Sequence, residues 1–307
     1  MKPIDLIATF AAAAFASTGI LLPLYEYPYG DAAIADWDAV VAAAVAYPKL
    51  DFHVIVNINS GPSYDPNPPA GIKDFAPYLG SLNAHGNVKL IGYIATKYGS
   101  KSTSEVQAAV DQYSAWTTAE AWTGTSYDIH LDGIFFDEID TTTGQLEHNT
   151  QISRYAKSKF ADKGGPIVLN PGTFVRNGSE SLFDVADAVL EIEACYTRSA
   201  GRPDWDGYAC DPSKSGYFPF TPGTLEKLGT NATRVARSSV VVHDFYNSWS
   251  PYTPVSEQML QTYVDAVVAK GVHSFYLAQL GYLGNFTAEP ASITTVARLA
   301  AAAQGFA

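Results

Sequence analysis

Short apolar runs alternate with helix-like patterns along the whole chain, and this alternation limits the folds open to it. Eight runs are typical of buried strands: Ile20–Tyr27, Phe52–Ile58, Lys89–Ala95, Asp132–Asp137, Pro166–Leu169, Ala188–Glu193, Ser239–His243 and His273–Ala278. Helical patterns lie between them at Ala32–Ala46, from a capping box at Ser102 toward Trp116, and at Thr150–Phe160, Thr224–Ala236, Glu257–Lys270 and Ile293–Ala303, with about two turns around Ser179–Val185.

Strands that alternate with helices pair in parallel, and eight such units match a (β/α)8 barrel in both count and length. An open doubly wound sheet is the alternative, but no G-x-G-x-x-G motif follows the first strand. No linker or repeat divides the chain. We therefore predict one α/β domain, a (β/α)8 TIM barrel, over residues 17–307.

The first 16 residues have the pattern of a secretory signal peptide. Lys2 precedes a short apolar region, and Ala14-Phe15-Ala16 matches a small-x-small cleavage site. Glycosylation sequons begin at Asn177, Asn231 and Asn285, and the two cysteines, Cys195 and Cys210, fit one disulfide in an oxidising compartment. We expect a secreted glycoprotein that is extracellular or associated with the cell wall.

The charge balance excludes several kinds of partner. The chain has 19 Lys and Arg against 31 Asp and Glu, a formal net charge of −12, and no basic stripe, so nucleic-acid binding is disfavoured. No run of 18 or more apolar residues follows the leader, so a membrane anchor is not expected. We expect a monomer that binds a polysaccharide and needs no cofactor or metal.

Acidic residues close two strands that are near neighbours in the predicted barrel. The apolar run from Asp132 ends in Asp137-Glu138, and the sixth strand ends in Glu193. Active sites of this fold lie at the carboxyl ends of the strands, and a pair of carboxylates across a cleft is the equipment for glycoside hydrolysis. Glu191 lies deeper in the sixth strand, where a structural role is favoured over a catalytic one.

Other strand ends supply candidate substrate-binding side chains. We assign this role to Tyr25, Asn57, Tyr93, Asn170, His243 and Gln279. Aromatic residues at or just beyond the strand ends could stack on sugar rings: Tyr25, Tyr27, Tyr93, Tyr98, Tyr196, Tyr246 and Trp249. His243-Asp244 alone is a poor metal-ligand set, and no G-x-S-x-G motif supports a serine hydrolase.

The chain resembles the spherulin-4 (spherulation-specific family 4) proteins, glycoside hydrolase family 135. The resemblance rests on Pro23-Leu24-Tyr25, Val54–Asn57 with Asn59–Pro62, Gly92-Tyr93 with Tyr98-Gly99, Asp132–Glu138, and Ala186-Asp187 leading to Glu193. It implies a secreted (β/α)8 hydrolase of galactosaminogalactan, an α-1,4-linked fungal polymer of galactose, N-acetylgalactosamine and galactosamine. A partly deacetylated polymer of this kind is cationic, which suits an acidic protein.

The resemblance also implies roles for three acids. Asp137 would be the nucleophile, Glu193 the general acid/base, and Glu138 would orient or tune the pair. Two departures from the family pattern are Glu191-Ile192 before Glu193, which bears on the register of the sixth strand, and a long segment from Tyr196 to Tyr217 that could reshape the groove.

Three competing functions can be compared with this one. A non-catalytic glycan-binding barrel is the alternative, although acids at both the fourth and the sixth strand speak against it. A chitinase-like barrel requires an Asp-x-x-Asp-x-Asp-x-Glu array, which Asp132–Glu138 lacks, and a polysaccharide deacetylase requires an Asp-His-His metal set.

Overall fold

Eight parallel strands form a closed barrel, which confirms the predicted fold class. The computed structural model describes residues 17–62, 71–175, 177–196, 210, 217–249, 252–279, 286–287 and 291–306, so the predicted signal peptide and the sequon residue Asn285 lie outside the described part. The strands are β1 (Gly19–Leu24), β2 (Phe52–Val56), β3 (Val88–Ala95), β4 (Gly133–Asp137), β5 (Ile167–Leu169), β6 (Ala188–Cys195), β7 (Ser238–His243) and β8 (Ser274–Leu277). Each pairs with its neighbours in sequence, and β8 pairs with β1 to close the barrel.

A helix follows each strand. The helices are α1 (Asp31–Ala46), α2 (Ile72–Asn83), α3 (Thr103–Ser114), α4 (Leu146–Phe160), α5 (Leu182–Val185), α6 (Ala232–Val235), α7 (Glu257–Lys270) and α8 (Ile293–Ala303). The Ser102 capping box at α3, the Ser256 cap of α7 and the left-handed Gly271 that ends α7 agree with the sequence patterns. No helix in the described ranges is long and apolar enough to cross a bilayer.

The helix expected over Thr224–Ala236 is wrong as a single element. A 3-10 helix covers Pro222–Leu228, and Gly229 then takes φ 76°, a left-handed conformation that ends it. The Asn231 side chain accepts hydrogen bonds from the backbone N–H groups of Thr233 and Arg234 and starts the separate short helix α6. Gly229 therefore ends one helix and Asn231 begins the next, within a stretch whose pattern predicted a single helix.

Three elements have no counterpart in the sequence prediction. Helix α2 was missed because Pro77 lies inside it, a residue that normally interrupts a helical pattern. A short hairpin pairs Thr118–Glu120 with Ser126–Asp128, and a second pairs Tyr246–Trp249 with Tyr252–Pro254. Strands of three or four residues are too short for period-2 alternation to reveal them.

A β-bulge at Glu191 sets the register of β6. Leu190 pairs with Ser239 of β7 and Ile192 pairs with Val240, so Glu191 has no opposite residue. The Glu191 side chain is fully buried and accepts hydrogen bonds from Arg234, Ser238 and the backbone N–H of Val175. The structure therefore gives Glu191 a structural ion pair and leaves Glu193 on the side of Asn170.

The Asp132–Glu138 segment contains β4 and runs along the barrel wall from its amino end to its carboxyl end. Its apolar residues Ile134, Phe135 and Phe136 are buried between neighbouring strands. Gly133 permits close contact with the next strand, because a Cβ at this position would overlap the carbonyl oxygen of Pro166. The run thus places one acid at each end of the same strand.

Candidate active site

One amide bridges the two predicted catalytic carboxylates at the carboxyl end of the barrel. The Asn170 Nδ2 donates to Asp137 Oδ1 at 2.7 Å and to Glu193 Oε2 at 3.0 Å. The backbone N–H of Gly172 donates to Asn170 Oδ1 at 2.8 Å, which turns the NH2 group toward the acids. Since both carboxylate oxygens bond the same nitrogen, at 2.7 and 3.0 Å, they are at most 5.7 Å apart.

Tyr93 holds the second oxygen of Asp137. Its hydroxyl donates to Asp137 Oδ2, and its ring packs face to face near Phe135, with ring centroids 6.0 Å apart. Tyr93 lies on β3 and Phe135 on the adjacent strand β4, and the register of the two strands places them opposite each other. The carboxylate is therefore oriented from β3 on one side and β5 on the other.

Glu138 turns the chain sharply just after the strand. It takes φ 56°, which is uncommon for a residue with a side chain. Thr96 Oγ1 donates to the backbone carbonyl oxygens of both Asp137 and Glu138, at 2.9 and 2.8 Å, and the Tyr98 N–H donates to the Glu138 carbonyl at 2.7 Å. In a regular strand, the side chains of Asp137 and Glu138 would point to opposite faces. The hydrogen bonds from the loop after β3 stabilise a turn at Glu138 that interrupts this alternation.

Left-handed backbone conformations of non-glycine residues are concentrated at this end of the barrel. In the described part of the chain, all five follow the carboxyl end of a barrel strand: Ser60, Lys97, Tyr98, Glu138 and Asp244. Such conformations cost about 1 kcal/mol or more each and cluster at functional sites. The strain therefore marks the same face as the carboxylates do.

Burial dominates the electrostatics of Asp137. It raises the pKa of the Asp137 carboxyl, and the charge of Glu138 acts in the same direction, while hydrogen bonds from Tyr93, the Glu138 N–H and Asn170 oppose the rise. Burial, followed by the negative charge of Asp137, also raises the pKa of Tyr93, so its hydroxyl stays protonated and donates. The three named donors to Asp137 are all neutral, so its negative charge is stabilised without being cancelled.

Glu193 has a further contact that sequence reasoning missed. The hydroxyl of Tyr217 donates to Glu193 Oε1 at 3.4 Å. Gly172, with φ 64°, lies close enough that an added Cβ would be 3.2 Å from Glu193 Oε2. Tyr217 is 24 residues beyond Glu193, and no local spacing could reveal the contact. Gly172 directly follows Asn170-Pro171, so the assignment of Asn170 to the end of the fifth strand already pointed to that turn.

The other predicted substrate-binding residues differ in position. Tyr25 packs edge-on against Tyr93 at 5.4 Å between ring centroids, so it lies beside the acids. Asn57 Oδ1 accepts from the backbone N–H of Ser60 at 2.7 Å, which stabilises the turn after β2. Gln279 donates to the Tyr252 hydroxyl and accepts from the Ala291 N–H at 3.2 Å, so its amide holds two neighbouring segments.

His243 joins the site through Tyr217. Its Nδ1 lies 2.9 Å from Asp244 Oδ2, and its ring packs edge-on against Tyr217 at 4.6 Å between centroids. Both His243 and Asp244 are buried. Within the described ranges, no group of three or more histidine, cysteine, aspartate or glutamate side chains is placed to hold a metal ion.

The predicted aromatic groove is only partly realised. Tyr246 is completely buried, so its assignment to a sugar-stacking surface is wrong, and the partly buried Tyr196 packs against Phe245 at 4.3 Å. Tyr98 and Tyr27 are exposed, by 62 % and 47 %. The side chain of Trp249 lies outside the described part of the chain.

A disulfide joins Cys195, the last residue of β6, to Cys210. Cys195 is two residues beyond Glu193, and the Cys195 carbonyl also accepts from the Phe220 N–H at 2.7 Å. These links hold the segment that carries Tyr217 against the end of β6. Of the remaining sequons, Asn177 and Asn231 are exposed, although Ser179 of the first is buried.

Comparisons with known proteins agree with this architecture. Spherulin-4 of Physarum polycephalum is 33 % identical over 206 residues, 64 % of this chain and 52 % of that protein, so the chain spans about half the length of the curated relative it matches. The crystal structure of Aspergillus clavatus Sph3 in complex with GalNAc superposes with a TM-score of 0.66 at 21 % identity, covering 92 % of this chain and 98 % of the other, and shows the same fold.

The model of one protein family matches residues 19–299, nearly the whole barrel and the segments that carry both carboxylates. The chain belongs to the spherulation-specific family 4.

Proposed function

We propose that this protein is a secreted glycoside hydrolase that cleaves an α-1,4-linked polymer of galactose, N-acetylgalactosamine and galactosamine within the chain. The observation that carries the proposal is the pair of carboxylates bridged by Asn170. The family membership supports it, and so does the complex of Sph3 with GalNAc, a sugar of this class. The formal net charge of −12 favours a polymer whose free amines are cationic.

The geometry supports a retaining mechanism. Carboxyl groups about 5–5.5 Å apart suit a covalent glycosyl intermediate, whereas inversion needs about 6.5–9.5 Å to fit a water. The two oxygens that face Asn170, Asp137 Oδ1 and Glu193 Oε2, are at most 5.7 Å apart, which favours the first class. Products should therefore keep the α configuration when first released.

Asp137 is the proposed nucleophile. Its three neutral donors hold the carboxylate in one orientation for attack on the anomeric carbon. Glu193, oriented by Asn170 and Tyr217, would protonate the leaving oxygen and then deprotonate the water that hydrolyses the intermediate. Glu138 adds negative charge beside the nucleophile, which raises the pKa of Asp137.

Product release from purified galactosaminogalactan, followed by mass spectrometry, tests the proposal. The wild type should release oligosaccharides, and Asp137→Asn and Glu193→Gln should each lose about a thousandfold or more in kcat. Asp162→Asn makes the same chemical change as Asp137→Asn in the exposed turn after α4 and should not alter kcat.

Two other outcomes would contradict the proposal in different ways. Binding without product would identify a non-catalytic glycan-binding barrel, and neither binding nor product would show that the substrate is wrong. The anomer first detected by NMR tests the mechanism separately, because an initial β product would contradict retention.

A further inference from the structure

Exposed aromatic side chains are distributed unevenly over the described surface. Seven large apolar side chains are exposed, and five of these are aromatic: Tyr27, Tyr29, Tyr98, Trp122 and Tyr252. Four of the five lie in the segments that follow the carboxyl ends of β1, β3 and β7, with Tyr252 in the hairpin after β7. Trp122 is the exception in sequence, since it lies in the turn of the hairpin that follows α3.

The hairpin that carries Trp122 runs along α2. At the carboxyl end of the helix, Asn83 donates to the backbone carbonyls of Asp128 and His130, both at 3.1 Å. About one turn earlier in the helix, Gly80 leaves room for the Tyr127 ring, because an added Cβ would lie only 2.9 Å from it. The hairpin turn therefore reaches the first turn of α2, which begins at the carboxyl end of β2 and so at the same end of the barrel as Asp137.

Four residues are joined there into what we call the rim cluster: Tyr27, Lys73, Asp74 and Trp122. The Trp122 Nε1 donates to Asp74 Oδ1 at 2.8 Å, and the Tyr27 hydroxyl donates to Asp74 Oδ2. The Lys73 Nζ lies 5.0 Å from the centre of the Trp122 ring. Two aromatic rings from distant segments are thus fixed by one carboxylate.

Both rings are held in place and remain exposed, Trp122 more so than Tyr27, whose ring packs edge-on against Phe75. Trp122 is 70 % exposed, and its neighbour Ala121 is buried, so the turn is anchored by the alanine and not by the large ring. Tryptophan is usually well buried, and exposed aromatic surface of this kind marks binding sites. Aromatic side chains also lose little conformational entropy on binding, particularly when already held in place.

The rim cluster is close along the chain to the candidate active site. Tyr27 is two residues beyond Tyr25, whose ring packs against Tyr93, and Tyr93 donates to Asp137. The charges of Lys73 and Asp74 offset each other, and both oxygens of Asp74 already accept hydrogen bonds. The cluster therefore offers the exposed ring surface that Lys73 does not cover, without net charge, which suits the C–H face of a neutral sugar.

We propose that Tyr27 and Trp122 form a second sugar-binding surface, outside the catalytic pair, for a neutral pyranose unit of the same polysaccharide. This inference rests on the proposed function, because it requires a polymer that extends from the catalytic cleft along the rim. Sugar stacking on an aromatic face of this kind contributes about 1 kcal/mol, or roughly a fivefold change in affinity.

Binding to an uncleaved polymer tests the proposal directly. In an Asp137→Asn background, isothermal titration measures Kd for galactosaminogalactan and for a trisaccharide of the same sugars. Trp122→Ala should weaken polymer binding about fivefold and trisaccharide binding less than twofold. Trp122→Phe, which keeps a ring, should recover most of the affinity, and the loss should persist at about 0.5 M salt since no net charge is involved.

Val45→Ala is the matched control, because it removes exposed apolar surface near the far end of α1. A Trp122→Ala protein that binds the polymer as the parent does would overturn the inference while leaving hydrolysis by the wild type intact. Equal losses for polymer and trisaccharide, together with a lower Tm, would also overturn it by showing that Trp122 only supports the fold. A wild type that neither binds nor cleaves the polymer would remove the proposed function and this inference together.

Discussion

The two ends of β4 carry one aspartate each, and the two are treated in opposite ways. Asp132, at the amino end, accepts from the Lys89 ammonium at 3.2 Å and from the Leu90 N–H at 2.9 Å. Asp137, at the carboxyl end, accepts from the neutral donors Tyr93 and Asn170. The same neighbouring strand, β3, thus supplies a cation to one acid and a phenol to the other.

This difference separates a structural carboxylate from the proposed catalytic one. A paired cation cancels the charge of Asp132 and ties it to the barrel wall, as Lys157 does for Asp187 at the same end. Neutral donors orient Asp137 without cancelling its charge, so the charge remains available to a substrate. The kind of partner, rather than burial alone, decides which acids can react.

The largest effect on stability should come from Asp132. Asp132→Ala leaves the Lys89 ammonium and the Leu90 N–H without their carboxylate in a site where the side chain is 4 % exposed, so we expect about 3 kcal/mol of destabilisation in urea unfolding. Asp187→Ala breaks the same kind of pair at 42 % exposure and should cost about 1 kcal/mol. Loss of kcat in folded Asp132→Ala protein would erase the distinction drawn between the two ends.

The next effect concerns pH and the amino end of the barrel. The rings of His53 and His273 stack there with centroids 5.0 Å apart, and burial lowers the pKa of His53 to about 3 and that of His273 to about 4. In the unfolded chain, these histidines bind protons below an ordinary pKa of about 6.5, whereas in the folded chain they stay neutral to a lower pH. The free energy of unfolding therefore falls as pH falls from 6.5 toward 4.

His53→Phe should remove about 2 kcal/mol of the stability difference between pH 7 and pH 5, because it deletes one of these groups and keeps an aromatic ring on His273. His85→Phe, in the turn after α2, is the comparison for losing a histidine elsewhere. Urea unfolding of all three proteins at both pH values gives the answer, and an unchanged pH dependence in His53→Phe would show that the buried pair does not govern acid stability.

The smallest effect should come from Tyr93. Its hydrogen bond lowers the pKa of Asp137, so Tyr93→Phe should raise that pKa. Because the proposed nucleophile must be ionised, the acidic limb of the kcat/KM profile should then move to higher pH by about one pH unit, with up to about tenfold loss of activity on that limb.

Tyr113→Phe is the control for Tyr93→Phe, since the buried Tyr113 hydroxyl donates to the Tyr93 backbone carbonyl at 3.1 Å and not to Asp137. A shift of the limb in Tyr113→Phe, or none in Tyr93→Phe, would show that the phenol donor does not set the ionisation of the nucleophile.

Local patterns were sufficient for the strands, because every barrel strand is a short apolar run ended by polar residues. The same rule placed Asp137, Asn170 and Glu193 at one end of the barrel. It could not show that Asn170 bridges the other two, since this depends on how Gly172 orients the amide. Tyr217 reaches Glu193, and Trp122 reaches Asp74 on α2, from segments whose paths only tertiary packing determines.

The extra residue in β6 can be understood as a phase change in the strand. Side chains alternate between the two faces of a strand, so one unpaired residue moves every later position to the opposite face. If Glu191 were paired regularly opposite Val240, Glu193 would lie opposite Val242 instead of Val241, with its carboxylate turned away from Asn170. The bulge therefore determines which face of β6 carries Glu193. A buried glutamate that takes no part in the proposed chemistry thus places the acid two residues later on the face that points toward Asn170.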